Sequence, residues 1–405
     1  MKAMRIRRPE TEVAGELRAA PLRVRAAVGF LAAALGITIG PARAAEGNFF
    51  PVPGIPWAPR QYVCFFAPST PVIDGRLDDP AWQAASPTED FVDIEGSLRP
   101  APRCRTRAWL LWDSQYLYIA AEMEEPDLWA TLTKHDDVIY HDNDFEVFID
   151  PDGDTHEYYE LEVNALNTTW DLLLLKPYRD GGPAVNAWEI PGLQTAVHCD
   201  GTLNDPRDRD RGWSVEIALP WAVLRECARV QSPPTQENTW RINFSRVEWP
   251  LEVVDGVYAK QKKKSTGKDL PEDNWTWSPQ GLIAMHYPEM WGRVQFTPAW
   301  AGTPDAAGIT FRPDPDEPRW WALRQVYYAQ RDRQTRRRKF TDDRVELARI
   351  VRTQDPRRAG LKEDVVIPVP AEVRLTQTGF EATQPASVAA TLHIREDGRT
   401  WKTVP

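Results

Sequence analysis

Four carboxylates, Asp144, Glu146, Glu160 and Glu162, stand where strand alternation would put them on one face of a two-stranded ribbon. The stretch that carries them, 140–171, reads YHDNDFEVFIDPDGDTHEYYELEVNALNTTWD. In its first half Phe145, Val147 and Ile149 fall on one side, and Asp144, Glu146 and Phe148 on the other. In its second half Tyr159, Leu161 and Val163 oppose Tyr158, Glu160, Glu162 and Asn164. Asp152-Gly153 supplies the turn between them. Like charges facing one another destabilise a ribbon. The crowding is therefore either a wet outer face or a concave polar floor that accepts hydrogen bonds from ligand hydroxyls or holds a cation. Carboxylates only accept, and a sugar diol offers two donors at matching spacing. A third use, glycoside hydrolysis, needs a pair of acids about 5 Å apart or more, and the two must sit in different environments. Four acids on an open ribbon lack that asymmetry, so binding is expected and catalysis is not.

The elements that must position this hairpin are mostly short strands. Gln61 to Phe66, Arg103 to Trp112, Tyr116 to Ala121, Leu172 to Tyr178, Leu193 to His198, Trp213 to Leu219, Trp240 to Val247 and Trp291 to Phe296 all read as strands. Asp78-Asp79-Pro80 opens a helical turn that buries Trp82, and Pro220-Trp221 opens a short helix to about Arg229. The segments KQKKKSTGK and DNWTWSP, the latter Asp273 to Pro279, read as loops. The fold expected is all-β, an antiparallel β-sandwich of the jelly-roll or immunoglobulin-like kind, over residues 45–300. A linker, 301–318, and a small C-terminal α+β annex, 319–405, follow. In the annex Trp320, Leu323, Val326 and Tyr327 are spaced for one helix face. Asp343 with Glu346 can cap a second helix, and Asp397-Gly398 makes a hairpin turn. The basic run RDRQTRRRK reads as a solvated helical face.

The chain of 405 residues is acidic, 59 Asp and Glu against 49 Lys and Arg, which argues against a nucleic-acid partner. Its 18 Trp suit a sandwich core and also flat platforms for ligands. Residues 1–44 read as a signal peptide: a basic leader, the apolar run AAVGFLAAALGITIG, and an A-x-A site before Ala45. The expected product is secreted or periplasmic, not inserted in a membrane after cleavage, and a monomer. Cys64, Cys104, Cys199 and Cys227 permit two disulfides, with the pairing open, and no C-x-x-C spacing marks a thiolate metal site.

The motifs VIDGRLDDPAW, LLWDSQYLYIAAE, DNDFEVFID, GWSVEIALPW and WGRVQF, in this order from Val72 to Phe296, resemble the family 9-like carbohydrate-binding modules. The resemblance implies a β-sandwich that binds a polysaccharide or oligosaccharide, holding a sugar ring between two aromatic side chains. Tyr140 stands at one aromatic position, and Trp275 or Trp277 would serve at the other. Glu146 matches the family's acid, Ser245 stands where a Gln is usual, and Glu162 replaces an Arg. Asn164 completes the polar set. The charge inversion at Glu162 implies neutral glycans, or a ligand that arrives with calcium bridging Glu146 and Glu162. Structural calcium in the family would point to Asp150, Asp152 and Asp154, but the spacing is not that of an EF-hand and a plain acidic turn is the better account. The broader fold group also includes haem carriers, for which Met123, His141 and His156 would be the available ligands.

Overall fold

The computed structural model describes residues 49–235, 238–354 and 371–405; the signal-peptide reading falls outside them. The first elements are strand β1 (Gln61–Phe66), helix α1 (Pro80–Ala84), and strands β2 (Val92–Asp93), β3 (Thr106–Trp112) and β4 (Tyr116–Glu124). Next come β5 (Asp144–Asp150), β6 (Tyr158–Asn164), β7 (Thr169–Leu174), β8 (Ala184–Val185), β9 (Gln194–Asp200) and β10 (Gly212–Pro220). Helix α2 (Trp221–Leu224) precedes β11 (Thr239–Glu248), β12 (Leu251–Val254), β13 (Val257–Lys260), β14 (Asp273–Thr276) and β15 (Gly292–Trp300). The C-terminal part holds α3 (Glu317–Arg337), α4 (Arg344–Gln354), β16 (Glu372–Leu375), β17 (Phe380–Pro385), β18 (Thr391–Arg395) and β19 (Thr400–Thr403).

One hydrogen-bonded ladder runs β8-β7-β6-β5-β11-β15-β1-β3-β4-β10-β9, with β14 beside β11 and β2 beside β14. Its two ends fold over one core. Phe145, Val147, Leu161 and Val163 from β5 and β6 pack in the same cluster as Leu110, Ile119, Val215 and Ile217 from β3, β4 and β10. This is the expected sandwich, mostly antiparallel. The exception is β1, which pairs parallel to both β15 and β3. The four-Leu run Leu172–Leu175 is a strand only to Leu174, and the helix expected to reach about Arg229 ends at Leu224. Among the described residues no helix is long and apolar enough to cross a membrane.

Helices α3 and α4 form where periodicity and capping placed them. Asp343 caps α4 through its Oδ1, which accepts from the Val345 and Glu346 amides at 2.9 and 3.1 Å. The annex has its own core, with Leu323, Val326 and Tyr327 of α3 against Phe380, Leu392 and Ile394 of its four-stranded sheet. That core also takes in Phe50, Tyr287 and Met290 from the sandwich side. The basic run is less solvated than the charge pattern implied. Arg331 pairs with Asp180, and Asp332 is buried and pairs with Arg336 at 2.8 Å. The four cysteines are free thiols.

Candidate functional site

The hairpin of β5 and β6 sets Glu146 opposite Glu162, Phe148 opposite Glu160 and Asp144 opposite Asn164. On the flanks, Ser245 of β11 lies opposite Glu146 and Trp170 of β7 opposite Glu162. All four carboxylates are on one face, as alternation required. The face is not wet: Asp144, Glu146, Glu160 and Glu162 are 0, 5, 6 and 2% exposed. Ile139, Phe148, Tyr158, Trp170, Met285 and Trp291 form an apolar cluster on the same side, with Tyr140 and Tyr178 partly buried at its margin. The open ribbon of the sequence reading is thus a covered floor.

Burial disfavours charge on every one of these acids. It pushes Glu146 up to about 7, and it drives Asp144, Glu160 and Glu162 well above the usual carboxylate range with help from one another's charge. None of the four makes an ion pair with a described Arg or Lys. The Glu162 Oε2 atom accepts from the Tyr140 amide at 2.9 Å, and Asp144 Oδ1 accepts from the Val247 amide at 3.2 Å. Asp144 Oδ2, Glu160 Oε2 and Trp170 Nε1 are buried without a partner. Buried polar groups are nearly always paired, and Ser245 Oγ on the same face is a fourth such atom without a hydrogen-bond partner.

Tyr140 is half-buried beside this floor, its ring 4.8 Å from that of His141. Its carbonyl accepts from Trp249 Nε1 at 2.9 Å, which fixes the turn it sits on. Trp275 and Trp277 are elsewhere. The segment Asp273–Thr276 is not a loop but strand β14, with Thr276 opposite Ser245. Alternation then sends Trp275 and Trp277 to the inner face. Trp275 lies between the guanidinium groups of Arg103 and Arg246, 5.0 and 5.1 Å from its ring centre. Trp277 is fully buried against Tyr62 and Phe244 and donates to Glu89 at 3.0 Å. Neither can wall a slot on the outer face. The half-buried aromatic that shares the margin with Tyr140 is Tyr178; burial first, and then the charges of Glu160 and Glu162, raise both hydroxyl pKa values. Tyr178 closes the four-Leu run, where the sequence showed only a buried strand.

Asn164 holds the loop and leaves nothing for a ligand. Its amide nitrogen donates to Leu132 O and Asp142 Oδ2, and its oxygen accepts from the Leu166 and Thr168 amides. The DPDGD turn brings Asp150, Asp152 and Asp154 within 4.8 Å of one another. Guanidinium groups stand beside two of them: Arg241 is 3.4 Å from Asp150, and Arg399 and Arg229 are 2.9 and 3.8 Å from Asp154. Thr155 and Thr400 add hydrogen bonds between the turn and the annex. The turn is thus clamped to β11 through Asp150 and to the annex through Asp154, with Asp152 outside these ion pairs. Of the haem candidates, Met123 is packed in the core, and His156 is buried with its Nε2 3.4 Å from Asp397. His141 packs against Tyr140.

Residues 73–239 match the family described as carbohydrate family 9 binding domain-like. The chain is 27% identical over 155 residues to an endo-1,4-beta-xylanase A of Thermoanaerobacterium saccharolyticum, covering 38% of this chain and 11% of that protein. It is 33% identical over 161 residues to an endo-1,4-beta-xylanase A of Thermotoga maritima, covering 38% and 12%. The chain thus spans about a tenth of the length of these curated relatives. A family 9 carbohydrate-binding module from Caldicellulosiruptor kristjanssonii, solved with cellotriose, superposes with a TM-score of 0.38 at 15% identity, covering 63% of this chain and all of that one.

Proposed function

We propose that this protein binds glycans without cleaving them, as an exported protein, and that the sugar ring lies between Tyr140 and Tyr178 over the floor of Asp144, Glu146, Glu160 and Glu162. The observation that carries the reading is the set of three unpartnered buried polar atoms, Asp144 Oδ2, Glu160 Oε2 and Trp170 Nε1, on one face of the sheet. A sugar hydroxyl both donates and accepts, so one ring can satisfy the two carboxylates and the indole together. Tyrosine faces supply apolar contact to the C–H side of the ring. Among the described residues no Arg or Lys pairs with the floor, and a uronate would further oppose ionisation of its acids, so an anionic sugar is disfavoured unless a divalent ion such as calcium bridges Glu146 and Glu162. Neutral oligosaccharides are the substrate class.

Affinity electrophoresis through gels of soluble xylan, β-glucan and polygalacturonate tests this. Retention is expected on a neutral polymer and not, in EDTA, on polygalacturonate. Tyr140→Ala and Tyr178→Ala should each weaken retention about tenfold or more while the melting temperature holds. Full retention by both variants would dispose of the tyrosine slot. Release of new reducing ends from the retained polymer would make the protein a hydrolase.

A further inference from the structure

A second group of chemistry-bearing side chains lies on the other face of β7. Asp171 follows Trp170 in the strand and so points away from the sugar floor. Facing it is His135, from the segment between β4 and β5, flanked by Asp136 and by Glu189 from the segment between β8 and β9. The His135 Nδ1 atom lies 2.9 Å from the carbonyl oxygen of Thr169. A carbonyl can only accept, so Nδ1 carries a proton and donates it; a carboxylate also only accepts, so without an ion Nε2 donates to Glu189, and an ion bound there would take the place of that proton. Around that Nε2 stand three carboxylate oxygens: Glu189 Oε2 at 3.1 Å, Asp136 Oδ1 at 3.4 Å and Asp171 Oδ1 at 3.6 Å.

We propose that His135, Asp136, Asp171 and Glu189 form a binding site for one divalent transition ion of the zinc class. Three observations support it. The spacing fits: ligands 2.0–2.2 Å from a tetrahedral zinc are about 3.4 Å apart, and His135, Asp136 and Glu189 already offer atoms within 4.8 Å of one another. The histidine is held as metal-bound histidines are, with its far nitrogen donating to a backbone carbonyl. And Asp171, 1% exposed, has its Oδ1 unpartnered and turned toward Nε2, while its Oδ2 accepts from the Ile190 amide at 2.7 Å. Among the described residues no Arg or Lys pairs with any of the three acids, in contrast to the arginine-matched DPDGD turn. Mixed imidazole and carboxylate donors favour zinc and its neighbours over calcium. Asp136 and Glu189 are exposed and can close on the ion, whereas Asp171 is the fixed wall.

A bound ion would tie the segment leading into Tyr140 to β7 and to the segment after β8. The proposal does not rest on the glycan reading, since it concerns the opposite face of the sheet. Its ligands must be deprotonated, so affinity should fall below about pH 6.

The test uses the untagged full chain, stripped with EDTA and titrated with zinc chloride by calorimetry and with cobalt chloride by visible absorption. One equivalent of zinc bound at micromolar or tighter affinity is expected, with intense tetrahedral cobalt bands and a higher melting temperature. His135→Ala should abolish both signals. Asp171→Asn, which keeps an acceptor for Ile190 and so the fold, should weaken binding about tenfold or more. Asp152→Asn, in the arginine-matched turn, should bind as the wild type does. No zinc bound at about 100 µM, or equal binding by the wild type and His135→Ala, would overturn the site.

Discussion

Between pH 5.5 and pH 8 the protein should lose thermal stability, and Glu162→Gln should flatten that slope. The floor acids titrate higher in the folded state than in the unfolded chain, where carboxyls titrate near 4. Glu146 is pushed up to about 7, and Asp144, Glu160 and Glu162 are raised well above the ordinary range, all by burial first. The folded state therefore holds more protons than the unfolded one between about pH 4.5 and 7, and stability falls as pH rises through that window. For Glu146 alone the effect is on the order of 3 kcal/mol, or roughly 5 °C. The uncharged amide of Glu162→Gln still offers an oxygen to the Tyr140 amide and removes one carboxyl whose own pKa burial, and then the Glu146 charge, raises. A residual slope should persist, because burial also raises Glu125 and Asp150 to about 8. Calcium should rescue the wild type at pH 8 and not Glu162→Gln, if an ion bridges Glu146 and Glu162. Melting curves over this pH range, in calcium and in EDTA, give the answer; a wild-type profile that is flat or rises toward pH 8 refutes the account.

Trp277→Ala should cost about 3–5 kcal/mol, the usual range for emptying a buried Trp site. The ring rests directly on a backbone: a Cβ at Gly292 would meet its Cζ3 at 2.1 Å, so β15 can pass only as glycine there. Its indole N–H is tied to Glu89, and Tyr62 and Phe244 surround it. Denaturant unfolding should show the midpoint drop, and any loss of glycan retention should track the loss of fold. A variant that melts like the wild type and yet binds nothing would return Trp277 to the binding surface.

Two misreadings in the sequence have one physical origin each. DNWTWSP carries Asn, Ser and Pro, residues typical of loops, and only its pairing with β11 makes it a strand; once it is one, period two decides where both tryptophans point. The acids of β5 and β6 were placed on the correct face because alternation is local. Their burial was not legible, because the covering residues around Ile139 and Tyr178 carry no periodic signal and those around Met285 lie more than a hundred positions along the chain. Tyr178 was missed for the same reason. Asn164 had the right face and the wrong partner, since Asp142 and Leu132 claim its amide. The annex helices, whose signals are caps and 3.6-residue spacing, were readable throughout.

The placement of β1 governs how this chain must fold. That strand sits between β15 and β3, parallel to both, in the middle of the ladder. Hairpins such as β3–β4 and β5–β6 close short loops and can form early, but β1 must wait for a partner encoded more than two hundred positions later. Long-range parallel pairing is slow, and an unfilled slot beside β3 exposes a strand edge meanwhile. A chain stalled before β15 on the ribosome would hold its two half-sheets apart, with β1 free to pair in the wrong place. Synthesis of that stretch takes on the order of ten seconds or more, and over that interval this protein is most open to aggregation and most in need of a chaperone.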